Sequence, residues 1–420
     1  MKIICSQSDL KNNLAFVSRA VPARPEPLVL GNILLVADST SQKITMTAFD
    51  GTLGIRASFQ GEVVTGGEIA LPAKLFNDIV SRLPEMEITL NCGDGEDSNL
   101  VATAEGGHAQ ALDLKSRERV TLSAASSKIQ IDGMDSEEFP ELPTVKSDNV
   151  IELPVELLSE GLKGCLFAAS VELSKQILTG VNVSSSAGSG TGPASRTENS
   201  DDDAYFEFAA TDSHRLSVVR AFLNDFERDS ETTEIGNEIG NLAVTIPASA
   251  LRELEKMLQG EQSTVKMRYD DSQIVFESGE KILNTLRLTG AYPQYERLIP
   301  ATFSRQMTCD RKRLLSSLEL VSVLAQKNNI VKFSLNSSAE ELTLSVDTPD
   351  VGNAKQTISA EITGEDIDIA FNIKYLTDGI KAISSPFVKM QLNEWNQPVI
   401  FTPVSGLQVT YLVMPVQIRD

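Results

Sequence analysis

The sequence predicts an α+β protein made of three copies of one unit, each with two helices packed on antiparallel sheets. Two observations predict this class. Apolar stripes at helical spacing recur three times in the same order, and stretches of alternating polar and apolar residues separate them. The length of 420 residues accommodates two to four domains of ordinary size. A threefold repeat of one α+β domain is therefore expected.

The first helix of each copy is predicted from a stripe of three apolar residues spaced by three or four positions, which places them on one face. The stripes are Leu10, Leu14 and Val17; Leu158, Leu162 and Cys165; and Leu314, Leu318 and Val321.

The second helix of each copy follows a short strand, in segments 69–76, 245–251 and 369–376. Pro72 and Pro247 stand where the first residue of a helix belongs in the first two copies. The apolar residues that continue each helix are Phe76, Ile79, Val80 and Leu83; Leu251, Leu254 and Leu258; and Leu376, Ile380 and Ile383. Alternating stretches at 43–48, 205–209 and 341–346 predict strands between the helices.

Proline-containing segments at 139–143 and 292–300 mark the ends of the first two copies. The predicted domains are 1–147, 148–298 and 299–420, called the first, second and third repeat below. The second repeat carries extra residues in two low-complexity stretches, 184–203 and 224–241, which predict long solvated loops. The first repeat carries an extra stretch between about 91 and 127, whose placement the sequence leaves open.

Composition excludes several classes of protein. The sequence has no apolar run of eighteen residues and no secretory h-region, which argues against a membrane span or a signal peptide. Cysteines at 5, 92, 165 and 309 are far apart and predict reduced thiols of a cytoplasmic protein. With only His108 and His214 available, we expect no metal and no cofactor. The net charge of −21 leaves nucleic-acid binding open, because it does not say how the 37 basic residues are distributed.

The sequence contains no Walker A, GxSxG or HExxH motif, so no catalytic residues are predicted. One alternative remains in segment 211–216, where Asp212 and His214 could serve a hydrolase. A turn after a strand, with Asp212 and Ser213 bonding to the local backbone, explains the same residues without chemistry.

Four passages of the sequence resemble the family of bacterial sliding clamps, the β subunits of the replicative DNA polymerase holoenzyme. They are 210–217 (ATDSHRLS), 411–416 (YLVMPV), 292–300 (YPQYERLIP), and Arg24-Pro25 leading to 30–34 (LGNIL). Together with the threefold repeat, the resemblance extends over the whole chain.

The resemblance implies three DNA-clamp domains that form a ring as a head-to-tail homodimer around double-stranded DNA. Such a ring is a non-catalytic processivity factor in the cytoplasm. Its implied partners are a second copy, the catalytic subunit of the replicative polymerase, the clamp loader and other proteins with clamp-binding motifs, but no membrane. The alternative is an acidic, repeat-built interaction scaffold that does not enclose DNA.

Basic residues on or beside the repeated helices are candidates for the DNA-facing lining, because they would attract phosphates without reading sequence. They are Arg19, Arg24, Lys74, Arg82, Lys163, Lys175, Arg252, Lys256, Arg313, Lys374 and Lys381. Residues 184–241 hold 12 Asp and Glu against 4 Lys and Arg, which places much of the acidic excess elsewhere.

The resemblance also implies a hydrophobic cleft between the second and third repeats that takes short partner peptides. The matching residues are Leu178, Thr211, Ser213, His214, Arg215, Leu216, Pro293, Arg297, Leu298, Asn372, Tyr375, Leu412, Val413, Met414, Pro415 and Val416. Leu178, Leu216, Leu298, Val413 and Met414 are expected to form an apolar floor, with His214, Arg215 and Asn372 as polar ends. Ser213 stands where the family commonly has glycine and Leu298 where it has valine, and residues 417–420 run past the usual end.

The dimer contact is assigned by the same resemblance to Ile129 and Ile131 on a first-repeat edge strand and to Val323 and Leu324 on a third-repeat helix. The same residues would equally fit the cores of their own domains.

Overall fold

The structure is a computed structural model. It describes residues 1–93, 119–145, 150–186, 204–226, 242–260, 263–325, 329–348 and 351–417. Among these residues no helix is long and apolar enough to cross a membrane.

Six α-helices lie in the described residues, two in each repeat, as the apolar stripes predict. They are α1 (Gln7–Val17), α2 (Ala73–Val80), α3 (Val155–Cys165), α4 (Ala248–Met257), α5 (Arg311–Ser322) and α6 (Ile373–Ala382).

The described strands recur in the same order around these helices. The first repeat has β1 (Lys2–Ser6), β2 (Asn32–Asp38), β3 (Lys43–Phe49), β4 (Leu53–Gln60), β5 (Glu62–Thr65), β6 (Gly67–Pro72), β7 (Glu87–Cys92), β8 (Arg119–Ala124) and β9 (Ser127–Asp132). The second has β10 (Val150–Pro154), β11 (Gly180–Ser186), β12 (Tyr205–Thr211), β13 (Arg215–Phe222), β14 (Ala243–Pro247), β15 (Thr264–Tyr269), β16 (Gln273–Ser278) and β17 (Lys281–Leu286). The third has β18 (Arg305–Asp310), β19 (Ile330–Asn336), β20 (Glu341–Thr348), β21 (Gly352–Ser359), β22 (Glu361–Thr363), β23 (Ile367–Asn372), β24 (Phe387–Leu392), β25 (Val399–Pro403) and β26 (Gln408–Val413).

The described chain divides into two compact units. The first unit comprises Met1–Val150 and Lys256–Leu286. Its sheets have the strand orders β5-β1-β7-β8-β9 and β15-β16-β17-β4-β3-β2-β6. Helix α1 packs on β3 and β4 and against α2, and its stripe residues Leu10, Leu14 and Val17 are fully buried there.

The second unit comprises Ile151–Glu255 and Arg287–Asp420. One sheet has the order β14-β11-β12-β13-β26-β25-β24-β18-β22, and the other has the order β21-β20-β19-β23. Helix α3 packs on β12 and β13, and α5 packs against α6. The core of the third repeat gathers the stripes of α5 and α6, including Leu314, Leu318, Leu376 and Ile380.

Antiparallel strand pairing makes a continuous sheet across two repeat boundaries. In the first unit β4 pairs with β17, from Leu53 opposite Thr285 to Ala57 opposite Lys281. In the second unit β13 pairs with β26 in the same way. In both cases the third strand after the first helix of one repeat pairs with the last strand of the next repeat. This explains why the compact units do not coincide with the sequence repeats.

Most of the apolar pattern is confirmed by burial, and the exceptions lie at element ends. All nine residues of the three first-helix stripes are at most 3% exposed. In the first repeat Ile79 is half-buried, and α2 ends at Val80, so the prediction that Leu83 continues the helix is wrong. Leu83 is followed by Pro84, and the residue before a proline disfavours the helical conformation.

The predicted loops fall largely outside the described residues. Residues 184–186, the first residues of the 184–203 stretch, form the end of β11, so the loop prediction is wrong for them. They pair with β12, for example Ser185 with Phe206. Of the 224–241 stretch only residues 224–226 are described, at the end of a 3-10 helix (Leu223–Asp225). Residues 94–118 of the 91–127 stretch are not described.

All four cysteines are free thiols, as expected. Cys5, Cys165 and Cys309 are buried, and burial raises the pKa of each thiol, to about 12 for Cys5 and Cys309. Cys92 is only half-buried.

Candidate functional site

The predicted cleft residues converge in the second unit around the start of β13. The Arg215 position pairs with Val413 at the end of β26. Beyond β26 the chain continues the pairing, because Met414 N donates to His214 O at 2.9 Å. Val416 N then donates to Ala370 O of β23 at 2.8 Å. The C-terminal segment 414–417 therefore runs between the turn before β13 and the strand before α6.

Segment 211–215 is a tight turn held by its own side chains. Asp212 Oδ1 accepts hydrogen bonds from the backbone N–H of His214 at 2.9 Å and of Arg215 at 3.1 Å. Thr211 Oγ1 accepts from Ser213 N at 3.1 Å and donates to Arg215 O at 2.6 Å. These bonds satisfy the polar backbone of the turn and fix the direction in which His214 leaves it.

Ser213 occupies the one position of this turn that favours glycine, since its φ is +82°. A Cβ atom in the left-handed region costs about 1 kcal/mol. The departure from the family's glycine, noted in the sequence, thus places strain in the turn.

We expect Ser213→Gly to raise the free energy of unfolding of the second unit by ~0.5–1 kcal/mol, because relief of this strain outweighs the extra freedom of glycine in the unfolded chain. Thermal unfolding checks this as a higher midpoint. Ser81→Gly is the matched control, since Ser81 is exposed with φ −65°. The control should lower the midpoint, and a fall in both variants would contradict the strain.

Arg215 lies under the turn rather than on the surface, with a side chain 10% exposed. Its Nε donates to Asp212 Oδ2 at 3.0 Å, its Nη1 to Asp378 Oδ2 at 2.8 Å and its Nη2 to Phe167 O at 2.8 Å. Burial alone would lower the pKa of Arg215, but the bond to Asp378, with Tyr411 and Asp212 nearby, raises it. The guanidinium therefore stays charged inside the second unit.

Aromatic rings enclose this guanidinium. Its carbon lies 4.5 Å from the centre of the Tyr375 ring and 5.5 Å from that of Phe167. The imidazole of His214 stacks on Tyr375 at 6.3 Å with an interplanar angle of 21°. Cation–π contacts of this kind are attractive and strengthen as water is excluded. The exposed His214 is therefore placed by a ring that Arg215 itself contacts.

Helix α6 is fixed to this region at its beginning and its middle. Asn372 caps it, because its Oδ1 accepts from Lys374 N at 3.0 Å and Tyr375 N at 3.4 Å. At Gly379 a Cβ atom would lie 2.0 Å from the Tyr411 ring, so only glycine lets α6 approach β26 this closely. Tyr411 Oη also donates to Tyr375 O at 2.7 Å.

The apolar residues of the predicted floor divide into two groups. Leu216 and Val413 are at most 1% exposed and Leu412 is 3% exposed, so these residues belong to the core and offer no surface to a ligand. Met414 is 38% and Leu298 54% exposed, and Leu178 is half-buried. Leu178, Leu298 and Met414 are therefore the predicted floor residues that keep accessible apolar surface, which is narrower than the sequence predicts. Pro293 is also exposed, and Pro415 and Val416 are half-buried.

Segment 292–298 is held onto the nine-stranded sheet by Tyr295. This ring is buried, its Oη donates to Glu207 Oε1, and it packs with Leu216 and Leu412. Pro293, Arg297 and Leu298 stay exposed on the outside of the segment. Their exposure and the buried anchor explain how a short segment after β17 can present side chains at a fixed place.

The hydrolase alternative finds no support in the geometry of Asp212 and His214. Both carboxylate oxygens of Asp212 accept from the backbone of its own turn or from Arg215, and the contact with His214 is to its backbone N–H. The imidazole stacks on Tyr375 instead. A general base needs its ring nitrogen within reach of an orienting carboxylate, and this arrangement does not provide one.

The basic residues predicted to line a DNA path lie on the surface of each unit. Of the eleven, ten are exposed and Lys175 is half-buried. Four sit beside carboxylates, in the pairs Arg82–Asp78, Lys163–Glu160, Lys175–Glu172 and Lys381–Glu319. Exposed pairs of this kind contribute little stability, so these side chains are available to phosphates at small cost.

The residues assigned to a dimer contact differ in exposure. Val323 is 61% exposed, and Leu324 and Ile129 are half-buried. Ile131 is 1% exposed and belongs to the core of its own domain, the other possibility that the sequence leaves open. Val323 and Leu324 lie just past Ser322, the last residue of α5, so the prediction that the helix carries them is wrong. Leu320, 60% exposed near the end of α5, was not singled out by the sequence pattern.

Comparisons with known proteins agree with the threefold repeat. The chain matches the family models of the DNA polymerase III beta subunit: the N-terminal domain over residues 1–143, the central domain over 152–294 and the C-terminal domain over 296–417. A beta sliding clamp of Synechocystis is 48% identical, and one of Synechococcus elongatus 41%, each over the whole of both chains.

Solved structures agree with the fold. The DNA polymerase sliding clamp of Bacillus subtilis has a TM-score of 0.82 at 24% identity, and a sliding clamp of Bartonella birtlesii bound to griselimycin has 0.81 at 25%. Each comparison covers the full length of both chains.

The fold, the threefold repeat and the converging turn, tail and helix define a chain of three DNA-clamp domains. It belongs to the family of bacterial DNA polymerase III beta subunits, the sliding clamps.

Proposed function

We propose that the protein is a DNA polymerase processivity factor: a ring of two copies that encircles double-stranded DNA and tethers the replicative polymerase. Full-length identity of 48% to a beta sliding clamp carries this proposal. The strand edges, the surface charges and the cleft of this chain each support a part of it.

The strand edges support a head-to-tail dimer. Two repeat boundaries are joined by the pairs β4–β17 and β13–β26. By order in the repeat, β21 corresponds to β4 and β13, and β9 corresponds to β17 and β26. In the described residues β9 and β21 are both at sheet edges, pairing only with β8 and β20. Exposed edges of this kind favour pairing with another chain, so we infer that β21 of one copy pairs with β9 of a second.

A helix position supports the same contact. When α3 and α5 are aligned on their stripes, Val323 corresponds to Phe167. Phe167 packs against the core of the next repeat and lies 5.3 Å from the Tyr411 ring, edge to face. The corresponding Val323 is exposed. An apolar side chain at this place fits a contact with the first repeat of a second copy.

The charge distribution supports an electrostatic but sequence-independent contact with DNA. A closed ring retains DNA by topology, so the basic residues need only weak attraction to phosphates. The acidic excess, net −21 overall, would disfavour binding of DNA at other surfaces.

The cleft supports recognition of short partner segments. Leu178, Leu298 and Met414 offer an apolar surface, and the flexible thioether of methionine adapts to different ligand shapes. The polymerase, the clamp loader and other clamp-binding proteins are the partners we assign to it. We assign no catalysis to the protein, which would work in the cytoplasm and leave ATP-driven ring opening to the loader. The scaffold alternative, which does not enclose DNA, explains neither the free edges nor the family relationship.

The experiment that tests the proposal is retention on circular and linear DNA. Protein is loaded with a compatible clamp loader and ATP onto nicked circular DNA, and half of the DNA is then linearised. We expect retention on circles and loss from linear DNA. Equal retention on both would contradict enclosure and favour the scaffold.

Charge reversal at Arg24 and Lys74 should weaken the contact with DNA without changing the fold, since both side chains are exposed. We expect Arg24→Glu with Lys74→Glu to reduce the affinity for duplex DNA at low salt by about tenfold, and to lower the salt dependence. Fluorescence anisotropy at several salt concentrations measures both. Charge reversal at Lys266, exposed on β15 and outside both the predicted lining and the inferred dimer contact, is the control. Equal effects of the two changes would contradict the assigned lining.

A further inference from the structure

Arg215 uses three of its five N–H groups within the second unit, and little of its side chain is accessible to a ligand. Nε, Nη1 and Nη2 all donate at 2.8–3.0 Å to acceptors within the second unit. Two aromatic rings cover its faces, and only 10% of the side chain is exposed. A residue that orients a peptide needs free donors facing the cleft.

The acceptors of Arg215 belong to different repeats. Asp212 and Phe167 lie in the second repeat, whereas Asp378 lies on helix α6 of the third. The guanidinium therefore bridges the two repeats whose side chains make up the cleft. A planar fork with donors in fixed directions can join three acceptors in this way, whereas the single ammonium of lysine cannot.

The first repeat contains the same turn without this bridge. There Asp50 Oδ1 accepts from Thr52 N and Leu53 N, both at 2.7 Å, as Asp212 does from its own turn. Leu53 stands where Arg215 begins its strand. The turn thus forms without arginine, so Arg215 has a role beyond local folding.

We propose that Arg215 is a positioning residue that sets the spacing of the cleft by tying the turn 211–215 to α6, and that it does not contact the bound segment. This rests on the proposed function of the cleft. Through Tyr375 the bridge places His214, and through the turn it places the backbone oxygen that receives Met414 N. The partner segment contacts surfaces of the two repeats, and Arg215 fixes the spacing between them.

The test removes the acceptor instead of the arginine. Asp378 is chosen because it bonds to Arg215 and is not among the accessible cleft residues; its side chain is 44% exposed. The variant Asp378→Asn removes its charge. As the probe of the proposed cleft we take griselimycin, to which the sliding clamp of Bartonella birtlesii is bound in its crystal structure. Binding of its fluorescein-labelled form to the full-length protein is measured by anisotropy, together with Arg215→Lys and the double variant. Asp378→Glu keeps the carboxylate, and Glu319→Gln is the matched control because it removes a half-exposed carboxylate from the pair with Lys381.

We expect Asp378→Asn to weaken binding by ~5-fold and Arg215→Lys by ~10-fold. The double variant should bind like Arg215→Lys alone, because both changes break one connection and are therefore not additive. Asp378→Glu and Glu319→Gln should stay within ~2-fold of the unmodified protein. Circular dichroism at the assay temperature establishes that each variant is folded.

Unchanged affinity in Asp378→Asn, together with a loss in Arg215→Lys, would overturn the positioning role and make Arg215 a direct ligand of the bound segment, with the cleft intact. Additive losses would overturn it as well. Failure of the unmodified protein to bind griselimycin would contradict the proposed cleft itself.

Discussion

Deletion of residues 414–420 is expected to reduce binding of partner segments at the cleft by at least ~100-fold and to leave the dimer intact. The deletion removes Met414, Pro415 and Val416, which supply much of the accessible apolar surface. Burying apolar side chains of this size contributes about 1.5–3 kcal/mol each, and about 2.7 kcal/mol is a factor of 100. Anisotropy with labelled griselimycin and pull-down of the replicative polymerase subunit measure the loss.

A shorter truncation provides the matched control for this deletion. Removal of 417–420 keeps the hydrogen bonds from Met414 N to His214 O and from Val416 N to Ala370 O. We expect this variant to bind within ~2-fold of the full-length protein, and both truncations to sediment as dimers. Full affinity in the longer deletion would exclude the tail from the binding surface, and equal losses in both would place the surface at the last four residues.

Periodicity was sufficient to predict the helices and the repeat, because burial on one face of a helix imposes a spacing that survives in a single sequence. The stripes around Leu10, Leu158 and Leu314 are all buried. Periodicity did not predict how repeats join. The pairing of β4 with β17 connects residues more than 220 positions apart, and nothing local in either strand specifies a partner at that distance.

The sequence grouped the residues of the proposed cleft but did not predict which of them are exposed. The motif at 211–216 and the tail at 411–416 identify strands that pair, yet alternate strand residues point to opposite faces. Both faces are buried here, with Val413 in one core cluster and Leu216 in another, while Met414 is exposed past the end of β26. The roles of Phe167, Asp378 and Tyr411 were missed, since each acts through a neighbour distant in sequence. Asp378 beside Gly379 on a predicted helix carries no signal of its bond to Arg215.

The substitution Val323→Glu is expected to weaken the dimer by at least ~100-fold. Val323 is exposed at the position that corresponds to the half-buried Phe167, which packs on the core of the next repeat. When the ring assembles, the new carboxylate would move from water into an apolar contact that contains no assigned cationic partner. Burying an unpaired charge in this way costs several kcal/mol. Sedimentation velocity over a range of protein concentrations measures the change in dissociation constant.

A variant with similar exposure elsewhere on the surface controls for the added charge. Val404 is 51% exposed in the turn between β25 and β26, so Val404→Glu introduces the same charge on a surface with no assigned contact. This control should remain dimeric, and Val323→Glu should be lost from circular DNA faster after loading. Because the residues of the proposed cleft lie within one copy, the affinity of Val323→Glu for the griselimycin probe should be unchanged. A stable dimer in Val323→Glu would reject the correspondence between α3 and α5. Loss of griselimycin binding together with loss of the dimer would show that the cleft depends on the ring.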